Sequence, residues 1–288
     1  MWKSIQPIDR TVVHRGISVP TFLYGTAWKE ADTEKLAALA LESGFLGIDT
    51  ANQRRHYFEE GVGNAVRRLL SERKLQRGDL FLQSKFTYMS SQDHRLPYAS
   101  QASYAAQVEQ SLQSSLKHLH TDYLDSYLLH GPESGRGLTP ADWEVWGAMT
   151  NQQEAGLVRL IGVSNFSFEQ LQLLLKNSES KPAFVQNRCY ARTGWDTEIR
   201  ALCRAHDIIY QGFSLLTANS SALNPQEMHE IAKRHGCSVE QAVFRFALQV
   251  GMIPLTGTAS QRHMLEDLAV YQFELADEEI GIIKNIAV

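Results

Sequence analysis

A (β/α)8 barrel, an α/β fold, is the fold class that this sequence predicts, on three observations. Eight short apolar runs recur along the 288 residues. The runs are continuous rather than alternating, as in parallel strands buried on both faces. Amphipathic segments with helix start and stop signals separate them. The length suits a single domain of this kind, residues 1–288. A doubly wound open sheet is the alternative, but no strand runs into the glycine pattern of a dinucleotide-binding Rossmann turn.

The elements follow in order. Strands are predicted at TFLYG (21–25), LGIDT (46–50), LFLQSK (80–85), DSYLLH (125–130), LIGVSN (160–165), FVQNR (184–188), IIYQGF (208–213) and MIPLTG (252–257). After the first strand, TEKLAALALESG carries apolar residues at helical spacing, with Gly44 as its stop. Glu59 and Glu60 open a helix-like segment after the second strand. SYAAQVEQSLQSSLKHL (103–119) is strongly helix-like, and TPADWEVWGAM starts with Thr139 as a cap and Pro140 in its first turn. SVEQAVFRFAL opens on a capping box of Ser238 and Gln241. Residues 87–100 and 133–137 read as loops.

Composition excludes several classes. Apolar residues make up 43% and charged residues 21%, enough for a large core and against disorder. A net charge of −4 gives no electrostatic case for nucleic acid or an acidic membrane as partner. Cys189, Cys203 and Cys237 show no metal-ligand spacing, and their odd number argues against a disulfide framework. MWKSIQPIDR lacks the apolar core of a signal peptide, and no apolar run approaches the ~20 residues of a membrane helix. The expectation is a cytoplasmic protein of a reducing compartment, with no metal.

Barrel active sites sit at the C-terminal ends of the strands. The second strand ends on Asp49, the third on Lys85, the fourth on His130 and the fifth on Ser164 and Asn165, while the sixth carries Gln186. Any one of these could be a satisfied buried polar group. Ionisable residues converging at one end of a barrel point to chemistry. Tyr57 follows eight residues after Asp49, with Tyr24 and Tyr88 as rival phenols. A carboxylate keeps a neighbouring lysine charged, and a charged lysine lowers a nearby phenol from its ordinary pKa of ~10. Such a phenol is a general acid, and a histidine can hold a carbonyl towards it. This set protonates an oxygen on which charge develops, and a cofactor must supply the hydride.

These residues resemble the aldo-keto reductases over nearly the whole chain. The resemblance begins at GTAWK (25–29) and continues through GIDTA, SK, YLLHGP, IGVSNF (161–166), VQN (185–187) and IPLTGT (253–258). It implies Tyr57 as the general acid, Asp49 and Lys85 tuning it, and His130 orienting the carbonyl of a small-molecule substrate. It implies NADPH, with NADH as the alternative, extended across the barrel mouth without a Rossmann fold. By the same resemblance Gly25 and Thr26 belong to the cofactor site. Ser164, Asn165 and Gln186 match residues that bond the carboxamide, Phe213 stacks on the nicotinamide, and Ser214 and Leu216 line the pyrophosphate path. At the adenosine end Gly257 and Thr258 stand where relatives often have lysine and serine. His263 stands where they have arginine, with Arg262 adjacent, and Glu266 and Asp267 match adenine-contacting positions.

The departures carry expectations of their own. The Asp49-to-Tyr57 spacing is stretched within NQRRH, whose charges are either solvated or a basic rim for anionic substrates. Gly131 follows His130 where many relatives place tryptophan, and the chain ends soon after ADEEIGIIKNI. Both predict an open pocket, with Trp28 and Phe86 as apolar walls. Trp143 and Trp146, at i and i+3, read as helix packing. The expected activity is reduction of an aldehyde or ketone, by a monomer or weak dimer. A cofactor-binding regulatory subunit and a metal-dependent hydrolase are the competing classes, the latter poor in strand-end histidines.

Overall fold

The computed structural model describes residues 10–287. Ten strands are present among them: β1 (Thr11–His14), β2 (Ile17–Pro20), β3 (Leu23–Gly25), β4 (Gly47–Asp49), β5 (Phe81–Phe86), β6 (Leu124–Leu129), β7 (Val158–Ser164), β8 (Phe184–Arg188), β9 (Ile209–Phe213) and β10 (Met252–Thr256). β3 to β10 close a barrel in sequence order, every neighbouring pair parallel, with β10 returning to β3. The eight predicted strands are these eight, and β3 is shorter than its apolar run because Thr21 and Phe22 precede it.

β1 and β2 were not expected. They form an antiparallel hairpin whose turn residues, Arg15 and Gly16, have φ of 47° and 81°. That is the handedness of a two-residue hairpin turn, built here without asparagine or aspartate in its first place. The hairpin closes the end of the barrel where strands begin: Val19 packs with Leu23, Phe81 and Phe184. Arg15 reaches the carbonyls of Lys181, Pro182 and Asp207, just before β8 and β9. The segment MWKSIQPIDR lies outside the described residues apart from Arg10.

Helices alternate with the strands. Thr33–Ser43 ends on Gly44, whose φ of 108° is the left-handed stop that glycine supplies. Pro140–Glu154 and Val239–Gln249 begin at the predicted caps, Thr139 and Ser238, and Tyr104–Leu119 is capped by Ser103. Trp146 is buried, with its indole N–H on Ser178 and Ser180, and Trp143 packs against the same core. Among the described residues no helix is long and apolar enough to cross a membrane.

The barrel interior is layered, because inward-facing residues recur every second position along a strand. Leu23, Phe81, Leu128, Leu160, Phe184, Ile209 and Ile253 form an apolar layer. One step further along their strands lie Gln83, Gln186 and Gln211. One step beyond those lie Lys85, Arg188 and Phe213, at the ends where the strands finish.

Candidate active site

Asp49, the last residue of β4, and Lys85 of β5 form a buried ion pair. Lys85 Nζ lies 2.7 Å from both Asp49 carboxylate oxygens and 2.8 Å from the Thr50 carbonyl. Asp49 Oδ1 also accepts from Gln83 and Gln186 at 2.7 and 3.0 Å. His130 follows β6. Its Nδ1 is 2.7 Å from the Thr87 hydroxyl, and its carbonyl accepts from Asn165 Nδ2 at 2.8 Å. Burial and the Lys85 charge press its pKa well below the ordinary imidazole value, so the ring is neutral.

Tyr57 completes the group. Its ring centroid is 5.2 Å from Lys85 Nζ and 5.8 Å from the His130 ring, edge to face. The stretched NQRRH segment is a compact turn: the amides of His56 and Tyr57 both donate to the Gln53 carbonyl. Arg54 folds back over the Phe58 ring at 4.3 Å. The rival phenols are committed elsewhere, Tyr24 to the Thr258 carbonyl and Tyr88 to Asp142, each at 2.9 Å.

One expectation is reversed. The lysine was expected to lower the Tyr57 phenol. Instead burial, and after it the Asp49 charge, raise it. Lys85 itself is lowered by burial, which outweighs the Asp49 charge and hydrogen bond.

Two cavities share Tyr57 and His130. One of about 480 Å³ is walled by Trp28, His56, Thr87, Gly131 and Glu133 among others. Trp28 is stacked on His56 at 3.9 Å and is 68% exposed. The other, of about 500 Å³, runs from Asp49, Tyr57 and His130 to Gly257, Thr258 and His263 at the far end. Gly25, Ser164, Asn165, Gln186, Phe213, Ser214 and Leu216 line its length.

Other expected members stand off these cavities. Phe86 is not a wall: it is fully buried against Tyr88 and Tyr98, since it follows inward-facing Lys85 and so points to the helices. Thr26 is buried, and its hydroxyl donates to the Asp49 carbonyl at 3.0 Å, which fixes the strand ends rather than lining the cleft. Arg262 is exposed and turned to Glu266 at 3.8 Å and to His263 Nε2 at 3.0 Å. Asp267 is buried, its carboxyl pushed up to about 7 by burial, and Oδ2 has no partner.

A model of the aldo/keto reductase family matches residues 21–288. The chain belongs to that family. It is 29% identical to glyoxal reductase of Bacillus subtilis (strain 168) over 277 residues, 96% of this chain and 91% of that one. It is 32% identical to NADPH-dependent codeinone reductase 1-1 of Papaver somniferum over 294 residues, 94% of this chain and 87% of the other. The crystal structure of an aldo/keto reductase from Brucella melitensis superposes with a TM-score of 0.79 at 28% identity, covering 96% and 98% of the two chains. A Bombyx mori aldo-keto reductase, solved in complex with NADP, shares the fold at 24% identity, with a TM-score of 0.81 over 96% and 92%. The family makes this chain an oxidoreductase.

Several residues of this aldo-keto reductase site escaped sequence reasoning. Thr87 orients His130 from one residue past β5. Lys29 donates across the cleft to the Gly257 carbonyl. Arg188 lines the cleft with no protein partner among the described residues. Gln83 and Gln211 lie beneath Asp49. For Gln83, Gln211 and Arg188 the readable signal was parity: each sits two residues from an assigned inward-facing position on its strand.

Proposed function

We propose that this oxidoreductase reduces an aldehyde or ketone to an alcohol with Tyr57 as general acid, using a reduced nicotinamide dinucleotide, NADPH by preference. The observation that carries the reading is that Tyr57, Lys85, Asp49 and His130 converge where the two cavities share a wall. The lining of the longer cavity fits a nicotinamide. The Phe213 ring is half-buried beside Ser164, Asn165 and Gln186, a stacking face next to hydroxyl and amide groups. When bound, the reduced nicotinamide supplies the hydride.

The chain supplies position and the proton. With Thr87 as the donor to Nδ1, the neutral His130 ring carries its proton on Nε2, the nitrogen that then donates to a substrate oxygen. Tyr57, raised by burial, keeps its proton through neutral pH. As the carbonyl carbon gains the hydride, the oxygen takes the Tyr57 proton. The phenolate left behind is stabilised by Lys85 and re-protonated from solvent. Holding the carbonyl close to the hydride supplies much of the rate.

Replacing Tyr57 by phenylalanine keeps the ring and removes the acid. The expected result is retained dinucleotide binding with carbonyl reduction down about 10²–10⁴-fold, followed as loss of reduced-nicotinamide absorbance. Turnover at the wild-type rate would remove Tyr57 from the role. Of the two cofactors, NADPH is expected to bind the more tightly. The margin is about tenfold or less, since Arg262 is exposed and turned to Glu266, and Gly257 stands where relatives often have lysine. Equal or tighter NADH binding by titration would reverse the preference.

A further inference from the structure

Three glutamines fill one layer of the barrel beneath the ion pair, from β5, β8 and β9, and they are 0%, 3% and 0% exposed. Their hydrogen bonds leave no freedom in which end of each amide points where. The Asp49 carboxylate only accepts, so the atoms of Gln83 and Gln186 that face its Oδ1 at 2.7 and 3.0 Å are nitrogens. Each of those nitrogens has a second N–H. Both second N–H groups go to Gln211 Oε1, at 2.8 Å from Gln83 and 2.9 Å from Gln186. Gln211 Nε2 then donates to Gln83 Oε1 at 3.1 Å. Both N–H groups of Gln186 are consumed below the cleft. Its Oε1 has no partner among the described residues, and Gln186 lines the cleft.

We propose that Gln83 and Gln211 are positioning residues. Anchored on Asp49, they hold the Gln186 amide so that it presents an acceptor, never a donor, to the ligand in the cleft. The inference rests on the nicotinamide reading above and deepens it: the pyridine substituent recognised by Gln186 is an N–H donor. The same layer ties the cofactor-facing amide to the carboxylate that holds Lys85. Packing alone does not ask for this arrangement. The layer below fills the same width with leucine, isoleucine and phenylalanine, and a buried amide is costly unless every group is partnered.

The test compares the binding of reduced nicotinamide dinucleotide phosphate with that of its 3-acetylpyridine analogue, whose methyl ketone keeps the oxygen but has no N–H. The wild-type chain is expected to prefer the carboxamide by about tenfold, the size of one net hydrogen bond. Gln211→Met and Gln83→Met each lose the anchor at similar side-chain volume. In both, the preference is expected to fall to about twofold or less. Affinity for 2′-phospho-ADP-ribose, which lacks the pyridine, should stay unchanged and reports an intact cleft. Gln211→Glu should keep the preference. Beside Asp49 the new carboxyl retains its proton, so it accepts from Gln186 and donates to Gln83 as the amide did. Thermal unfolding checks each variant, and either methionine variant suffices if the other does not fold. A carboxamide preference that survives in a folded methionine variant, or that the wild-type chain never shows while binding both dinucleotides, overturns the inference alone. Failure of the wild-type chain to bind either dinucleotide overturns the reading beneath it as well.

Discussion

Asp49 accepts from three side chains within 3.0 Å and belongs to both the ion pair and the amide layer. That concentration explains what the sequence could reveal of the site. A carboxylate, a lysine and an imidazole each ending an apolar run are conspicuous, so Asp49, Lys85 and His130 were legible. A single glutamine inside an apolar run is not, so Gln83 and Gln211 were passed over, although each sits two places before a cleft residue. The same parity would have excluded Phe86, whose neighbour Lys85 already faces inward. The direction of the Tyr57 shift was illegible, because it depends first on how deeply the folded chain buries the phenol and then on the Asp49 charge. Asp267 is a separate case. Its carboxyl is raised from 3.8 to about 7 by burial, and Oδ2 is unpartnered. The unfolded chain therefore releases this proton at lower pH than the folded chain does. The folded state loses stability as pH rises from about 4 through 7. Asp267→Asn removes that ionisation. Its melting temperature relative to wild type should be more favourable at pH 8 than at pH 5, and parallel melting curves across that range would contradict the assignment.

Between elements, the tightest join is where the helix Glu59–Ser71 crosses Tyr104–Leu119. A methyl group on Gly63 would run into the His118 carbonyl, so the backbones meet where no side chain fits. Glu59 opens the first of these helices. It is buried, yet accepts from Ser84 of β5 at 2.5 Å, Ser115 at 3.1 Å and His118 Nδ1 at 3.0 Å. This fastens the helix that follows Tyr57 to the strand that carries Lys85. Gly63→Ala should cost about 1–3 kcal/mol by overpacking, read from denaturant unfolding, with the two helices forced apart. No measurable loss would mean that the crossing can relax. Helix starts were legible because capping is local: Ser103, Thr139 and Ser238 each accept from an amide three residues on. The crossing was not, because the meaning of Gly63 lies in residue 118. The β1–β2 hairpin was missed for a related reason. Its four-residue strands are too short to register as runs, and its Arg-Gly turn lacks the usual signal.

For the molecule as a whole, eight runs in order, with helices between, were enough to specify a closed parallel barrel, since sequential right-handed crossovers leave few other arrangements. Barrel closure from β10 to β3 and the plug formed by the hairpin depend on contacts far apart in the chain. Arg15 secures the plug through three carbonyls at 2.8, 3.0 and 3.3 Å. Arg15→Ala should lower stability by about 1–2 kcal/mol, a shift of a few degrees in melting temperature for a chain of this size. Wild-type activity should persist, because the plug and the cleft occupy opposite ends of the barrel. Unchanged melting would show the plug to be held by its apolar contacts, those of Val12, Ile17 and Val19 and of His14 with Phe184. The partners of Arg15 lie 166 to 192 positions downstream. On the ribosome, at roughly 5–20 residues per second, they emerge roughly ten to forty seconds after the hairpin does. The hairpin is therefore among the first segments made and among the last fastened. For that interval its apolar face can meet only what has already been made, Leu23 of β3 and then Phe81 of β5.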